Sequence, residues 1–197
     1  MSTAIRKMLT VLGAAAMLTA GSSSYALPQL DGSLALAGFG VSQNAANLAV
    51  STTITVLNTL TTDPGFGDYS PVPFMTSFNG HVLDLSSLAN LVASFQLTNP
   101  TYGKFVPTAA SILSRSANFL DIFFLGDFTP ESGLAGFELS PTSLRISLNQ
   151  SGLSISEAIT LNSPPIRITV PEPGTLFLLM TGGVGLLGLG LRRKAQA

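Results

Sequence analysis

Short segments in which apolar and polar residues alternate recur through the middle of this chain. Residues 48–56, 144–149 and 166–170 each have this period of two, as strands with one buried face do. Turn-forming residues separate such segments: Asp63-Pro64-Gly65, Asn79-Gly80, Asn99-Pro100, Gln150-Ser151-Gly152 and Ser163-Pro164-Pro165. The pattern predicts an all-β domain, and the regular spacing of short strands favours an antiparallel β-sandwich.

One segment is apolar on both faces. Between residues 119 and 128 only Asp121 and Asp127 are polar, which is typical of a strand in the middle of a sheet. Residues 106–120 are ambiguous, because their apolar positions would also line one face of a helix. We expect strands at 48–57, 117–128 and 144–149 to supply the core.

The N-terminal segment has the three parts of a secretory signal peptide. Arg6 and Lys7 precede an apolar stretch over residues 8–20, and Ser24 and Ala26 place small residues at positions −3 and −1. The apolar stretch is short for a membrane span. We therefore expect a signal peptide over residues 1–26, with cleavage after Ala26.

The C-terminal segment predicts a single membrane-spanning helix. Residues 174–191 carry no charge and, at ~1.5 Å per helical residue, extend about 27 Å. Arg192, Arg193 and Lys194 follow, and such a basic cluster acts as a stop signal on the cytoplasmic side. The predicted organisation is a signal peptide (1–26), a β-sandwich domain (27–169) and a C-terminal segment (170–197) with its helix at 175–191.

Composition and charge exclude several classes of function. The chain has no cysteine, which rules out disulfides, thiolate catalysis and thiolate metal ligands. Between residues 27 and 170, four basic residues face nine acidic ones, a formal charge of −5. A domain without a basic surface argues against binding to nucleic acid, because such binding depends on neutralising phosphates.

The candidate catalytic and metal-binding residues are few. Asp121, Asp127 and Glu131 are the nearest approach to a carboxylate pair for glycoside hydrolysis. The oxygen ligands that calcium prefers occur in loops, and the candidates there are Asp63, Asp68, Asp127 and Glu131.

His81 is the single histidine of the chain and follows Asn79-Gly80. We expect it to be a solvated loop residue next to a turn. We assign no catalytic residue, no metal ligand and no cofactor.

The order of features at the C-terminus resembles the PEP-CTERM sorting signal. Val170, Pro171, Glu172 and Pro173 come first, the uncharged span follows, and the basic cluster ends it. The resemblance implies a Gram-negative bacterium and recognition by an exosortase, a membrane cysteine protease that cuts near the Pro-Glu-Pro triplet. It also implies release of the domain to the cell surface or to the exopolysaccharide matrix of a biofilm.

Two functions from different classes remain open. The first is a non-enzymatic extracytoplasmic protein, exported by the general secretory route and sorted by an exosortase. Its partners would be the exosortase, the membrane as a transient anchor and exopolysaccharide. It would pass through the inner membrane to the cell surface or beyond. The alternative is a secreted polysaccharide-acting enzyme, or a carbohydrate- or calcium-binding module.

Overall fold

Antiparallel strands make up most of the chain that the computed structural model describes, residues 26–166. The strands are β1 (Gly32–Phe39), β2 (Ser42–Gln43), β3 (Thr53–Thr61), β4 (Phe66–Gly67), β5 (Ser77–Asp84), β6 (Leu97–Asn99), β7 (Gly103–Arg115), β8 (Phe119–Pro130), β9 (Ser140–Ser151) and β10 (Ser154–Ser163). The short helix α1 (Leu88–Ser94) lies between β5 and β6, and a single 3-10 turn (Ser132–Leu134) lies between β8 and β9.

These strands form one sheet in the order β2-β3-β1-β10-β9-β8-β7-β6, with β4 paired to β1 and β5 to β3. The two ends of the sheet meet through amide side chains. Asn79 on β5 donates from Nδ2 to the Gln96 carbonyl (3.0 Å) and accepts at Oδ1 from the Thr98 amide (2.5 Å). Asn99 on β6 donates to the Ser77 carbonyl (2.8 Å). The sheet therefore curls until β5 and β6 lie side by side.

The all-β, antiparallel part of the predicted fold is confirmed, but the sandwich is not. The described strands form a single curled sheet instead of two facing sheets. The long strands β7 and β8 bend because their register shifts between Pro107 and Ala109 and again between Ile112 and Ser114. Such bulges kink a strand and increase its twist.

Several predicted segments differ in detail. The strand expected at 48–57 begins only at Thr53, since the chain turns before it and Arg115 Nε donates to the Leu48 carbonyl (2.9 Å). Asn79-Gly80 is no turn, because both residues lie inside β5. The ambiguous segment 106–120 is strand: it comprises most of β7 and the start of β8. The strand expected at 166–170 falls outside the described residues, apart from Ile166.

The core lies inside the curl. Strand β8 is central, as expected, and turns every second residue inward. Leu120, Ile122, Phe124 and Phe128 on that strand are fully buried. Phe95, which follows α1, stacks on Phe124 with ring centroids 4.7 Å apart.

Helix α1 covers part of this interior. Ser87 caps it by accepting from the Asn90 amide (3.1 Å), and Leu91 points into the core. Within residues 26–166, no helix is both long enough and apolar enough to span a membrane.

Replacing Phe124 with alanine should lower the free energy of unfolding by about 3–5 kcal/mol, because it removes a buried ring and leaves a cavity. Phe123→Ala is the matched control, since Phe123 is the next residue on β8 and its side chain is only partly buried. Urea unfolding of both variants measures the difference. Equal losses would contradict the inward orientation of Phe124.

Candidate functional site

The most unusual polar group of the described domain is a buried pair, His81 and Glu157. His81 lies on β5 and Glu157 on β10, and both side chains point into the curl. Nε2 of His81 is 3.0 Å from Oε1 of Glu157, and neither side chain has exposed surface. On its other side, Nδ1 of His81 is 3.4 Å from the hydroxyl of Thr59, and the Phe95 ring packs edge-on at 4.9 Å.

The prediction that His81 is a solvated loop residue was therefore wrong. The Asn79-Gly80 pair suggested a turn, but tertiary pairing of β5 with β3 places both residues in a strand. A signal was present in the sequence, because His81 stands two residues before Leu83, and residues two apart share one face of a strand. Likewise, Glu157 lies between Ile155 and Ile159 in the period of two, a polar residue in an otherwise apolar row.

The carboxylate of Glu157 fits only because glycine lies opposite it. Gly38 of β1 pairs with Glu157 in the sheet register. A Cβ atom at position 38 would lie 1.9 Å from Oε2 and 2.9 Å from a Val56 methyl. Oε2 is buried and has no hydrogen-bond partner. One carboxylate oxygen is thus satisfied by His81, while the other lies against backbone.

The apolar interior of the curl encloses this pair, and a polar or charged side chain buried there without a partner is costly. Since no side-chain surface of either residue is exposed, the pair cannot reach a substrate in this conformation.

A second buried polar group joins the loop after β3 to the end of β10. The hydroxyl of Tyr69 is 2.8 Å from that of Ser163, which in turn is 2.6 Å from that of Thr142. Burial of the Tyr69 side chain raises its pKa to about 12, because the charged phenolate would lose its water.

Of the carboxylates proposed from the sequence, Asp121 and Asp127 do not form a hydrolytic pair. Asp121 is bound by Arg145 through two hydrogen bonds, Nε to Oδ1 at 2.9 Å and a terminal nitrogen to Oδ2 at 2.6 Å. This side-chain bond raises the pKa of Arg145. Asp127 lies six residues further along β8. At ~3.3 Å per residue that is about 20 Å, well beyond the 5–9.5 Å that glycosidases use.

The four calcium candidates are likewise not assembled. Oδ2 of Asp68 accepts from the Asp31 amide (2.8 Å), while Asp127 lies on β8 and Glu131 follows that strand. Asp63 lies in the loop after β3. Within residues 26–166, no three His, Asp or Glu side chains come close enough together to hold a metal ion.

One cavity of about 270 Å³ opens beside β2 and the β9–β10 hairpin, where Leu153 lines it. The side-chain amide of Gln150, which lines this cavity, already forms hydrogen bonds within the protein. Gln150 accepts from Gln43 and from the Leu48 amide, and it donates to the carbonyls of Ala46 and Gly152. A ligand would find few free polar partners on Gln150.

The residues predicted to direct sorting lie outside the described part of the chain. This applies to Val170, Pro171, Glu172 and Pro173, to Arg192, Arg193 and Lys194, and to Ser24. The predicted signal peptide up to residue 25 and the membrane helix at 175–191 lie outside it as well. Ala26, the expected last residue of the signal peptide, is exposed.

Comparison with known protein families identifies the C-terminal segment. Residues 169–194 match the family model of the PEP-CTERM protein-sorting motif. The chain carries a PEP-CTERM sorting motif. The motif implies an extracytoplasmic protein that an exosortase sorts. No curated protein and no solved structure matches the chain.

The PEP-CTERM match leaves the domain's own chemistry open, because the motif begins six residues after the last strand ends at Ser163. The His81–Glu157 pair and the buried hydroxyl cluster of Tyr69, Ser163 and Thr142 belong to the domain that precedes the motif.

Replacing either His81 or Glu157 with leucine should lower the free energy of unfolding by about 3–5 kcal/mol, because the partner is then buried unpaired. The double variant should recover most of that loss, since two apolar residues of similar size need no pairing. Urea unfolding of the PEP-CTERM protein and its three variants gives the coupling. Simple additivity of the two losses would contradict the pairing.

The phenol of Tyr69 should make the domain sensitive to alkali. Its raised pKa means that, above pH 10, the unfolded chain ionises first, so stability falls between about pH 10 and pH 12. The expected loss is about 2 kcal/mol, and Tyr69→Phe should show less of it. Unfolding curves of both proteins from pH 8 to 11.5 provide the measurement. Identical slopes would refute a buried, ionisable phenol.

Proposed function

We propose that this protein is a non-enzymatic passenger that an exosortase delivers to the cell surface or to the extracellular polysaccharide matrix. The observation that carries the proposal is the PEP-CTERM match over residues 169–194, directly after a β-rich domain. The motif directs sorting, and the domain is the part of the protein that is delivered. Experiments test the final location and the absence of catalysis.

The chemistry of the domain supports a role without catalysis. His81 and Glu157, the residues best suited to proton transfer, are enclosed in the core. Asp121 is held by Arg145. Hydrolysis of a sugar requires two carboxyl groups that face one cleft. The buried polar groups of the domain bind one another inside the protein, as they do in a structural or binding module.

The sorting segment follows a simple physical logic. Proline has no backbone N–H and favours an extended backbone, so Pro171 and Pro173 would leave the segment free to enter a protease groove. Glu172 places one carboxylate between them. The uncharged residues 174–191 and the basic cluster 192–194 would hold the substrate in the inner membrane until the exosortase acts.

Glu172→Ala tests this route, because it removes the carboxylate while both prolines keep the segment stiff. In a host with the exosortase, the variant should accumulate in the membrane with its tail attached, whereas the parent appears outside the cell without it. Fractionation, with mass spectrometry of the C-terminus, distinguishes the two forms.

Asp84→Asn is the matched control, since it removes one partly exposed carboxylate from the domain, at the end of β5, and leaves the motif intact. It should be processed like the parent. Equal release of Glu172→Ala and the parent would show that Glu172 is only a spacer. Failure of the parent to lose its tail would overturn the proposed route itself.

A further inference from the structure

One end of the curled sheet carries an unusual concentration of exposed apolar side chains. Strand β10 ends there at Ser163, and we call this surface the exit end. Three segments form it, residues 26–31, 62–76 and 131–139. Five large apolar residues on these segments are each more than half exposed: Leu27, Phe66, Phe74, Met75 and Leu139.

Hydrogen bonds join the three segments into one surface. The Asp68 amide donates to the Asp31 carbonyl (2.9 Å), and the Asp31 amide donates to Asp68 Oδ2 (2.8 Å). The Glu138 amide donates to the Pro28 carbonyl (3.0 Å). Tyr69 ties the same region to Ser163, the last residue of β10. The exposed apolar residues therefore lie around the point where the chain leaves the sheet.

The loop that carries Phe66, Phe74 and Met75 is firmly held. Tyr69 and Val72 are fully buried, and the Gly65 amide donates to the Val72 carbonyl (2.9 Å). Met75 adopts a left-handed conformation (φ 62°), which is rare for a residue other than glycine, and its amide donates to the Thr61 carbonyl (3.1 Å). A loop held in this way presents its apolar side chains without further ordering, which favours binding.

The length of the connecting segment limits how far an enzyme bound to the sorting motif can lie from this end. Pro171 follows Ser163 by eight residues, so the two Cα atoms are at most about 29 Å apart even when the chain is fully extended. An enzyme that acts at Pro171 therefore works within that distance of Ser163.

The charge of the exit end indicates which neighbour it fits. Its three segments contain five carboxylates and no basic residue: Asp31, Asp63, Asp68, Glu131 and Glu138. An anionic lipid surface would repel such an end. A protein surface that offers apolar pockets with basic residues around them would complement it, since interfaces join an apolar core to a polar, charge-matched rim.

We propose that the exit end is a second docking surface for the exosortase, so that the enzyme reads the folded passenger as well as the PEP-CTERM motif. Phe66, Phe74 and Met75 form the apolar contact, and the surrounding carboxylates meet basic groups of the enzyme. This rests on the proposed exosortase route and extends it, because the domain then influences how fast its own tail is removed.

The test replaces the apolar contact in the full chain with Phe66→Ser, Phe74→Ser and Met75→Asn; asparagine tolerates the left-handed backbone. In a host with the exosortase, pulse-chase labelling measures tail removal. We expect the rate to fall about tenfold, as loss of a few interface anchors typically causes. The matched control is Val50→Ser, Leu57→Ser and Leu153→Ser, three exposed residues outside the exit end, and it should be processed at the parent rate.

A photo-crosslinking amino acid at position 66, compared with one at position 153, identifies the neighbour directly. In membranes that contain an inactive exosortase, position 66 should give an adduct with the enzyme and position 153 should not. Parent-rate processing of the exit-end variant, or adducts at position 66 with lipid alone, would overturn the docking surface. Absence of processing in the parent would instead refute the exosortase route.

Discussion

A sheet that curls on itself has one interior, and every side chain that points inward there must be apolar or paired. Leucine, isoleucine and phenylalanine meet this condition along the central strands β8 and β9. Glu157 on β10 is the exception, and two neighbouring residues allow the fold to accommodate it. His81 on β5 lies within hydrogen-bond distance of it, and Gly38 on β1 leaves room for it. The pair therefore links three strands of the curl through one contact.

The position of β10 connects this core to sorting. Strand β10 is central in the sheet, since it pairs with β1 on one side and with β9 on the other. It is also the strand that leads to the PEP-CTERM motif, which begins after the strand has ended. A tail attached to a central strand is well anchored while the protein is tethered. Because the motif lies beyond Ser163, where β10 ends, its removal breaks none of the ladder hydrogen bonds between the strands described within residues 26–166.

The exit end, from which the chain continues to the motif, differs from the opposite end of the domain. At the exit end, exposed aromatic and aliphatic side chains lie among carboxylates, on loops held by Tyr69 and Val72. At the opposite end, the chain closes on itself: Arg115 donates to the Leu48 carbonyl, and Gln150 holds the turn before β3. The polar groups named at that end are thus occupied with internal contacts, while the exit end places carboxylates among its exposed apolar side chains.

The sequence by itself determined the all-β class, the central position of β8 and the sorting motif, because each depends on local order. A period of two identifies a half-buried strand, and the PEP-CTERM motif is read as a linear string. Tertiary structure decided what no local pattern contains. The curl of one sheet, instead of two facing sheets, depends on which strands pair and where β7 and β8 bulge. Asn79-Gly80 resembles a turn until β3 pairs with it, and His81 becomes a core residue only when β10 brings Glu157 to within 3.0 Å. Those contacts join residues 76 positions apart, and only the folded chain brings them together.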